Sequence, residues 1–357
     1  MKRKLAWGVC ALACGTAAAQ SNVSVYGLVD MNVGAVSDAG ANGGNGGNGG
    51  NGGNIVRVNS GGMNTSRLGF TGSEDLGGGL KVLFQLEMGI AADTGVADTP
   101  LFKRQATVGL EGRWGTILLG RAFTTVYDFV LPYDPMGYAP QYSWAPAGNA
   151  SGASKYGMAF AFDNLVKYAG KTGNWAYGAS YGAGEGSSSG DGSKGAVAVN
   201  YASGPWSAMA AYERINGVPD ATGARGDTTA WHLGAMVSAG NVKLQAAMRD
   251  YRQGMAGAAG TSALKARLYW AGTNVMVTPA VTLAGVVYYQ DVRHGPIEAD
   301  PVMVVGRVRY ALSRRTDLYV TAAYAKAKHG QLVGLARDEP GFGSRQKSVL
   351  AGIQHRF

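Results

Sequence analysis

The stretch that decides the fold is Ser66-Arg67-Leu68-Gly69-Phe70-Thr71-Gly72-Ser73-Glu74-Asp75-Leu76-Gly77-Gly78-Gly79-Leu80-Lys81-Val82-Leu83-Phe84-Gln85-Leu86-Glu87. Apolar and polar side chains alternate along both of its arms, which is the period of a β-strand. The segment Asp75–Gly79 between the arms is a turn, because glycine accepts the positive φ that tight reversals need. The stretch therefore predicts a β-hairpin with one apolar and one polar face. A soluble sheet would place the apolar face on a core, whereas a membrane barrel places it on lipid.

The same alternation recurs from a first strand near Asn22 to a last strand that ends at Phe357. We count 16 such segments, and short turns and long loops strictly alternate between them. That sorting of connections is typical of an outer-membrane barrel with periplasmic turns and longer outer loops. The sequence thus predicts an all-β fold, a 16-stranded antiparallel transmembrane β-barrel in outer-membrane lipid. Its first and last strands must pair, because an open edge in lipid leaves backbone groups without hydrogen bonds.

Aromatic residues cluster at both ends of these segments. Tryptophans lie at short turns and tyrosines lie toward long loops, as expected for the two membrane interfaces. Strands favour aromatic residues in general, so this pattern supports the barrel only weakly. The residues are Trp114, Trp175 and Trp206, and Tyr212, Tyr251, Tyr289 and Tyr324.

The N-terminus carries an export signal. Met1–Lys4 is basic, Leu5–Leu12 is a short apolar run, and small residues precede Gln20, which together predict a signal peptide over residues 1–19 and a barrel over residues 20–357. Ala11–Cys14 is also compatible with a lipoprotein cleavage site. Loss of the three leader cations lowers the net charge from +9 to +6, which does not predict nucleic-acid binding.

Composition argues against several other classes of protein. Charged residues make up 15% of the chain, against about 25% in soluble domains. No run of 18 apolar residues follows the predicted signal peptide, so no membrane-spanning helix is predicted. Cys10 and Cys14 both lie in the leader, and the four histidines follow no metal or nucleophile spacing. We therefore predict no cofactor, metal site or catalytic activity.

Eight stretches follow one another in a set order and span the predicted barrel: Val25–Asp30, Ser66–Gly77, Val108–Thr116, Leu119–Arg121, Tyr127–Asp128, Asp134–Pro135, Asn164–Tyr168 and His355–Phe357. Together they resemble the general bacterial porins of the Neisseria and Burkholderia type. The resemblance implies a homotrimeric barrel whose third outer loop folds into the lumen, and passive diffusion of small hydrophilic solutes and ions. It also implies that Phe357 is the signal for the outer-membrane assembly machinery, a plain interfacial aromatic being the alternative.

Two long connections have distinctive compositions. Residues 42–54 are built of repeated Gly-Gly-Asn, which buries no apolar area and predicts a flexible first outer loop outside the family pattern. Residues 122–155 form the third outer joint, rich in aromatic residues and proline, and we predict that they narrow the pore. Their charges before Lys155 are Asp128 and Asp134. Folded inward, this loop would present acid to the lumen.

A passive pore needs a wet constriction lined by charge. Basic side chains dominate the predicted lumen faces, which suggests a modest preference for anions, although a single lumen arginine can equally brace the wall through a salt bridge. The bases are Arg67, Lys81, Lys167, Lys243, Arg249, Lys265, Arg267, Arg307 and Arg309, and the acids are Asp30, Glu87 and Glu213. We predict that the constriction is formed by Asp128, Asp134, Arg67, Lys81, Glu87, Arg121 and Lys167.

Arg104 and Arg121 match basic positions of the family pattern, but strand parity assigns both to the lipid or subunit face unless a bulge intervenes. We retain Arg121 because it lies at the foot of the inward loop. The leading hypothesis is a general diffusion porin in the outer membrane. The alternatives are a surface barrel that acts as an adhesin or structural protein, and an outer-membrane hydrolase for which no residue can be nominated.

Overall fold

The computed structural model describes residues 22–39, 53–151, 154–185, 190–221, 223, 225–254, 264–294, 299–336 and 343–357. The predicted signal peptide and residues 42–52 of the Gly-Gly-Asn run lie outside these ranges. No helix within them is long and apolar enough to cross a bilayer.

Strands account for most of the described chain, and two short helices follow the seventh strand. The helices are α1 (Thr125–Val130) and a 3-10 helix (Leu131–Tyr133). The strands are β1 (Asn22–Ala39), β2 (Gly53–Ser60), β3 (Arg67–Gly77), β4 (Leu80–Ala91), β5 (Val96–Ala97), β6 (Gln105–Gly112), β7 (Gly115–Phe123), β8 (Ala147–Ser151), β9 (Ser154–Gly157), β10 (Ala161–Thr172), β11 (Trp175–Gly182), β12 (Lys194–Ser203), β13 (Trp206–Ile215), β14 (Thr228–Ala239), β15 (Val242–Gln253), β16 (Leu264–Met276), β17 (Val281–His294), β18 (Val302–Ala311), β19 (Thr316–Lys326) and β20 (Arg345–Arg356).

One antiparallel sheet closes on itself. It contains 18 of the described strands, while β8 and β9 pair separately. β2 and β3 lie end to end along β1, and β5 is a two-residue addition to β4, so the wall consists of 16 barrel strands. β20 pairs with β1 over Val29↔His355 and its neighbours, which leaves no open edge. The predicted fold class and strand number are confirmed.

The connections also follow the prediction. Turns of two to four residues join one end of the barrel, at positions 78–79, 113–114, 173–174, 204–205, 240–241, 277–280 and 312–315. Longer segments join the other end. In the opening hairpin, the Asp75 carboxylate accepts a hydrogen bond from the Gly77 amide at 2.8 Å, and Gly77 to Gly79 all have positive φ. Glycine therefore suits this turn for the conformational reason given above.

The two faces of the wall differ as a membrane barrel requires. Outward-facing apolar side chains are exposed, for example Val25 at 58% and Leu119 at 48%. Inward-facing positions carry buried polar groups, among them Asp30, Glu87 and Lys167. In lipid, exposed apolar side chains of this kind lie in their preferred solvent, so they need no protein core.

The orientation of β16 contradicts the prediction for two of the basic residues. Lys265 and Arg267 were assigned to the lumen face, but they face outward, and Leu268 and Trp270 are buried inside the barrel. The Trp270 indole donates to the Tyr133 carbonyl at 2.9 Å, so this part of the inner wall is covered by protein. An apolar inner face is stable there, and strand period alone cannot distinguish it from a lipid face.

Three further differences arise near strand ends. Tyr251 faces inward and is 5% exposed, so it does not belong to the outer aromatic belt. β2 was not identified as a strand, because its alternating Val56 and Val58 directly follow the Gly-Gly-Asn run. β6 begins at Gln105, so Arg104 lies outside the strand, and the alternation of faces along β6 does not determine the direction of its side chain.

Candidate functional site

Residues 124–146, here called the inner segment, leave the wall at the end of β7. Thr124 begins α1, because its hydroxyl accepts from the Tyr127 amide at 3.0 Å, which is the geometry of an N-cap. The same hydroxyl donates to the Ala159 carbonyl at 3.1 Å. Pro132 lies in the 3-10 helix that follows. These contacts turn the chain sharply away from the strand direction.

Hydrogen bonds from wall side chains hold the inner segment along the barrel's inner surface. The bonds from the wall are Gln245 Nε2 to Pro132 O (2.8 Å), Trp270 Nε1 to Tyr133 O (2.9 Å), Asn274 Nδ2 to Pro135 O (3.2 Å) and Arg249 to Ala145 O (2.7 Å). The acceptors in this set are backbone carbonyls, while other wall residues bond to side chains of the segment, such as Asn200 and Ser207 to the Tyr133 hydroxyl. Because these partners lie on inward-facing positions around the wall, the segment occupies part of the lumen.

Asp134 is the centre of this arrangement rather than a charge presented to water. Its carboxylate is buried and accepts from the Tyr138 amide at 2.7 Å, the Ser143 hydroxyl at 2.7 Å and the Met136 amide at 3.2 Å. The Tyr288 hydroxyl of β17 also donates to it. Asp134 thus folds the segment back on itself and attaches it to the opposite wall.

Asp128 and Lys167, both predicted constriction residues, lie together. The Lys167 ammonium contacts the Asp128 carboxylate and donates to the Phe123 carbonyl at 2.8 Å. The pair joins the base of the inner segment to β10 and contributes little net charge.

Glu87 is the centre of a second cluster. Arg104 Nε lies 2.6 Å from Glu87 Oε1, and Arg67 Nε lies 3.7 Å from Oε2. The Tyr26 hydroxyl donates to the same carboxylate at 2.8 Å. The Arg104 guanidinium also lies over the Phe123 ring, 5.1 Å from its centroid. Two arginines for one carboxylate leave this part of the lumen positive.

A third group of charges lies on β18, β19 and β20. Arg356 and Arg309 approach the buried carboxylate of Asp317, at 2.7 and 3.9 Å, and Arg307 donates to the Met136 carbonyl at 3.4 Å. This group and the Glu87 cluster line two cavities, of about 480 and 240 Å³, that share Asn64, Gly137 and Arg356. Both cavities therefore border the tip of the inner segment.

The structure thus brings some predicted constriction residues together and separates others. Arg67 meets Glu87, and Asp128 meets Lys167. Lys81 pairs instead with Glu111 at 3.7 Å near the short-turn end, six residues and about 20 Å along β4 from Glu87. Arg121 contacts Asp163 and the Phe160 ring rather than the Glu87 cluster, as strand parity indicated.

Strand parity predicts an outer-face position for Arg104, but Arg104 contacts Glu87 in the lumen, and Arg356 is a lumen residue that is not among the predicted pore charges. Arg104 follows a loop, and its alternation with β6 is broken by the strand boundary. Arg356 had a usable signal, because it is out of step with the apolar residues Ile353 and Phe357. No group of three potential metal ligands occurs among the described residues.

Phe357 completes the closing strand pair. Its amide and carbonyl exchange hydrogen bonds of 3.1 Å with Gly27 of β1. Its ring covers Gly27, where a Cβ would come within 2.3 Å of the ring. The terminal residue is therefore part of the barrel seam as well as an aromatic on the outer face.

A closed 16-stranded barrel with an apolar outer face and a charged lumen defines a class, the channel-forming barrels of the outer membrane. Residues 6–330 match the family model described as Gram-negative porin, and the chain belongs to that family. It is an outer-membrane channel for passive diffusion.

Two relatives illustrate the range of similarity. The outer membrane porin protein 32 of Delftia acidovorans is 35% identical over 171 residues, which span 47% of this chain and 45% of that protein. An outer membrane porin protein of Bordetella pertussis is 28% identical over the full length of both chains.

Solved structures show the same fold. The anion-selective porin from Comamonas acidovorans superposes with a TM-score of 0.78 at 27% identity, covering 95% of this chain and all of that one. A Vibrio cholerae outer membrane protein in its trimer form has a TM-score of 0.70 at 14% identity, covering 94% and 99%.

Proposed function

We propose that this porin is a general diffusion channel with a modest preference for anions, and that it is not an enzyme. The observation that carries the proposal is the excess of base around the inner segment. Five guanidinium groups, those of Arg67, Arg104, Arg307, Arg309 and Arg356, face the carboxylates of Glu87 and Asp317. Asp128 adds little, since Lys167 neutralises it. The solved relative described as anion-selective supports the same direction.

The inner segment is proposed to be the constriction. Of the predicted residues, Arg67, Glu87, Asp128 and Lys167 are the ones we propose as lining groups, together with Arg104. Their fixed positive field concentrates anions and opposes cations in the narrow part of the lumen. We propose that Lys81 and Arg121 stabilise the wall through ion pairs, and that Asp134 stabilises the shape of the inner segment.

Reversal potentials in a salt gradient across a planar bilayer test this proposal. The native protein should show large ohmic steps and an anion-directed reversal potential. Replacing Arg67 and Arg104 by glutamine should move that potential toward cation preference. Arg113→Gln/Arg314→Gln, which removes two exposed guanidinium groups from short turns, is the matched control and should leave it unchanged. Clear cation preference in the native protein would contradict the proposal.

We further propose a homotrimer. The first part of β1 carries exposed Val23 and Val25 at 64% and 58%, which suits packing against another subunit. Conductance steps in groups of three, and a crosslinked species of three chains, are the expected results. A population of single conducting units would refute the trimer.

Two proposals concern export and assembly. Cleavage of residues 1–19 should leave Gln20 at the mature N-terminus, measurable by mass spectrometry of the purified protein. We propose that the outer-membrane assembly machinery recognises Phe357 before this residue pairs with Gly27 and closes the barrel. Phe357→Ala should then reduce the amount of inserted barrel in cells more than it reduces refolding in detergent.

A further inference from the structure

An additional cavity lies on the long-loop side of the Glu87 cluster. Its volume is about 660 Å³, and it is bounded by residues 92–104, which join β4 to β6, and by the inner segment. This outer cavity shares Thr65, Arg104, Phe123 and Tyr127 with the cavity of about 480 Å³ described above. A solute that enters from the long-loop end therefore meets the outer cavity before the Glu87 cluster. The volume lies within the range of pockets that hold small molecules.

Two opposite charges of the outer cavity have no protein partner. Asp98 and Lys103 both line it, and within the described residues no base forms an ion pair with Asp98 and no carboxylate forms one with Lys103. The Asp98 carboxylate lies over Gly89, where a Cβ would collide with it. Gly89 is the next inward-facing residue of β4 after Glu87, so this carboxylate faces the lumen. Both charges are thus available to a solute.

Arg104 supplies a second cation to the same cavity. Its Nε contacts Glu87 at 2.6 Å, and its side chain is 15% exposed. Among the described residues, neither of its Nη groups has an acceptor. A guanidinium that keeps two donors in a fixed plane suits a carboxylate, which can accept both hydrogen bonds. Arg104 can therefore hold Glu87 through one nitrogen and a solute carboxylate through the others.

An apolar surface completes the outer cavity. The rings of Phe123 and Tyr127 stack with their centroids 4.7 Å apart, and Pro140, Pro146 and Met158 extend the apolar lining. Such a surface removes an apolar side chain from water, and its aromatic rings favour another aromatic ring as the contact. The cavity thus combines charges of both signs with an aromatic surface.

We propose that the outer cavity binds amphipathic zwitterions, namely α-amino acids that carry an aromatic side chain. The solute carboxylate would bind Arg104 and Lys103, its ammonium would bind Asp98, and its ring would contact the stacked aromatic rings. An organic anion would leave Asp98 without a partner, and an amine would meet two cations. The inference rests on the proposed diffusion channel, since it names a class of solute that this channel retains at its mouth.

Equilibrium binding to the purified full-length protein in detergent tests the proposal, with phenylalanine as the probe. Three analogues each lack one group: 3-phenylpropionate lacks the ammonium, phenethylamine lacks the carboxylate, and alanine lacks the ring. Phenylalanine should bind about tenfold more tightly than each analogue, because each loses a charge-assisted hydrogen bond or the buried ring. Equal binding of the four compounds would overturn the proposal.

Substitutions assign the solute groups to their partners. Asp98→Asn should weaken binding of phenylalanine about tenfold without weakening binding of 3-phenylpropionate, which has no ammonium. Lys103→Gln should weaken binding of both carboxylates but not of phenethylamine. The matched control Glu74→Gln removes an exposed carboxylate near a short turn and should preserve all affinities. Gel migration before and after heating verifies that each variant is folded. An unchanged preference for phenylalanine in Asp98→Asn would overturn the proposal.

Conductance of the same preparation in a planar bilayer separates this inference from the proposed function. Large ohmic steps from a protein that does not prefer phenylalanine would overturn the binding site and leave the diffusion channel supported. Preferred binding of phenylalanine by a protein that forms no channel would support the binding site and contradict the diffusion channel.

Discussion

Asp128 and Asp134 belong to the same inner segment, yet their surroundings give them different roles. Asp134 is buried and accepts four hydrogen bonds, including one from Tyr288 across the lumen. Asp128 contacts Lys167, and its side chain is 44% exposed. Sequence reasoning treated both as pore charges, because a carboxylate in a loop carries no sign of the partners that the fold will bring to it.

Replacement of Asp134 should loosen the inner segment. Asp134→Ala leaves buried donors of Tyr138, Ser143 and Tyr288 without acceptors, at about 1–3 kcal/mol each. We expect a lower unfolding temperature and faster proteolysis within the segment, with Asp134→Asn intermediate because its amide oxygen still accepts. Asp128→Ala is the control and should change thermal unfolding far less. Equal thermal unfolding of the native protein and Asp134→Ala would show that these bonds do not stabilise the segment.

At the scale of elements, the alternation of short turns and long loops predicted the barrel, its strand number and the position of the opening hairpin. Those features can be predicted because contact with lipid requires apolar outward-facing side chains on every strand. β16 was assigned the wrong way round because Leu268 and Trp270 meet the inner segment rather than water. Arg104 was missed for a related reason, since its direction depends on where β6 begins.

The pairing of β1 with β20 should be sensitive to a single methyl group. Gly27→Ala would place a Cβ 2.3 Å from the Phe357 ring and 2.9 Å from the Arg67 carbonyl oxygen, so side chain and backbone must both move. We expect a loss of about 1–3 kcal/mol, measured by denaturant unfolding of the refolded barrel. Gly306→Ala in β18 is the control, because its Cβ meets open space. Phe357→Ala should restore only part of the loss, and full restoration would contradict the contribution of the Arg67 carbonyl.

At the scale of the whole molecule, the inner charges act together as a field across the lumen. The mobile ions of the solution screen such a field over about 10 Å at 0.1 M salt and about 3 Å at 1 M. We expect the anion preference to be largest in dilute salt and to fall as the salt concentration rises. Reversal potentials measured at a constant concentration ratio, from low to high salt, will show this trend. A preference independent of salt would indicate selection by contact binding instead.

The seam between Gly27 and Phe357 also sets an order of events. The first barrel strand emerges early from the export pathway, but one of its two neighbours is β20, the last of the described strands. The wall is therefore incomplete until β20 has been delivered. A chain that lacks β20 leaves β1 with an unpaired edge and cannot close. Delivery of β20 is thus a condition that the geometry of the barrel itself imposes on closure.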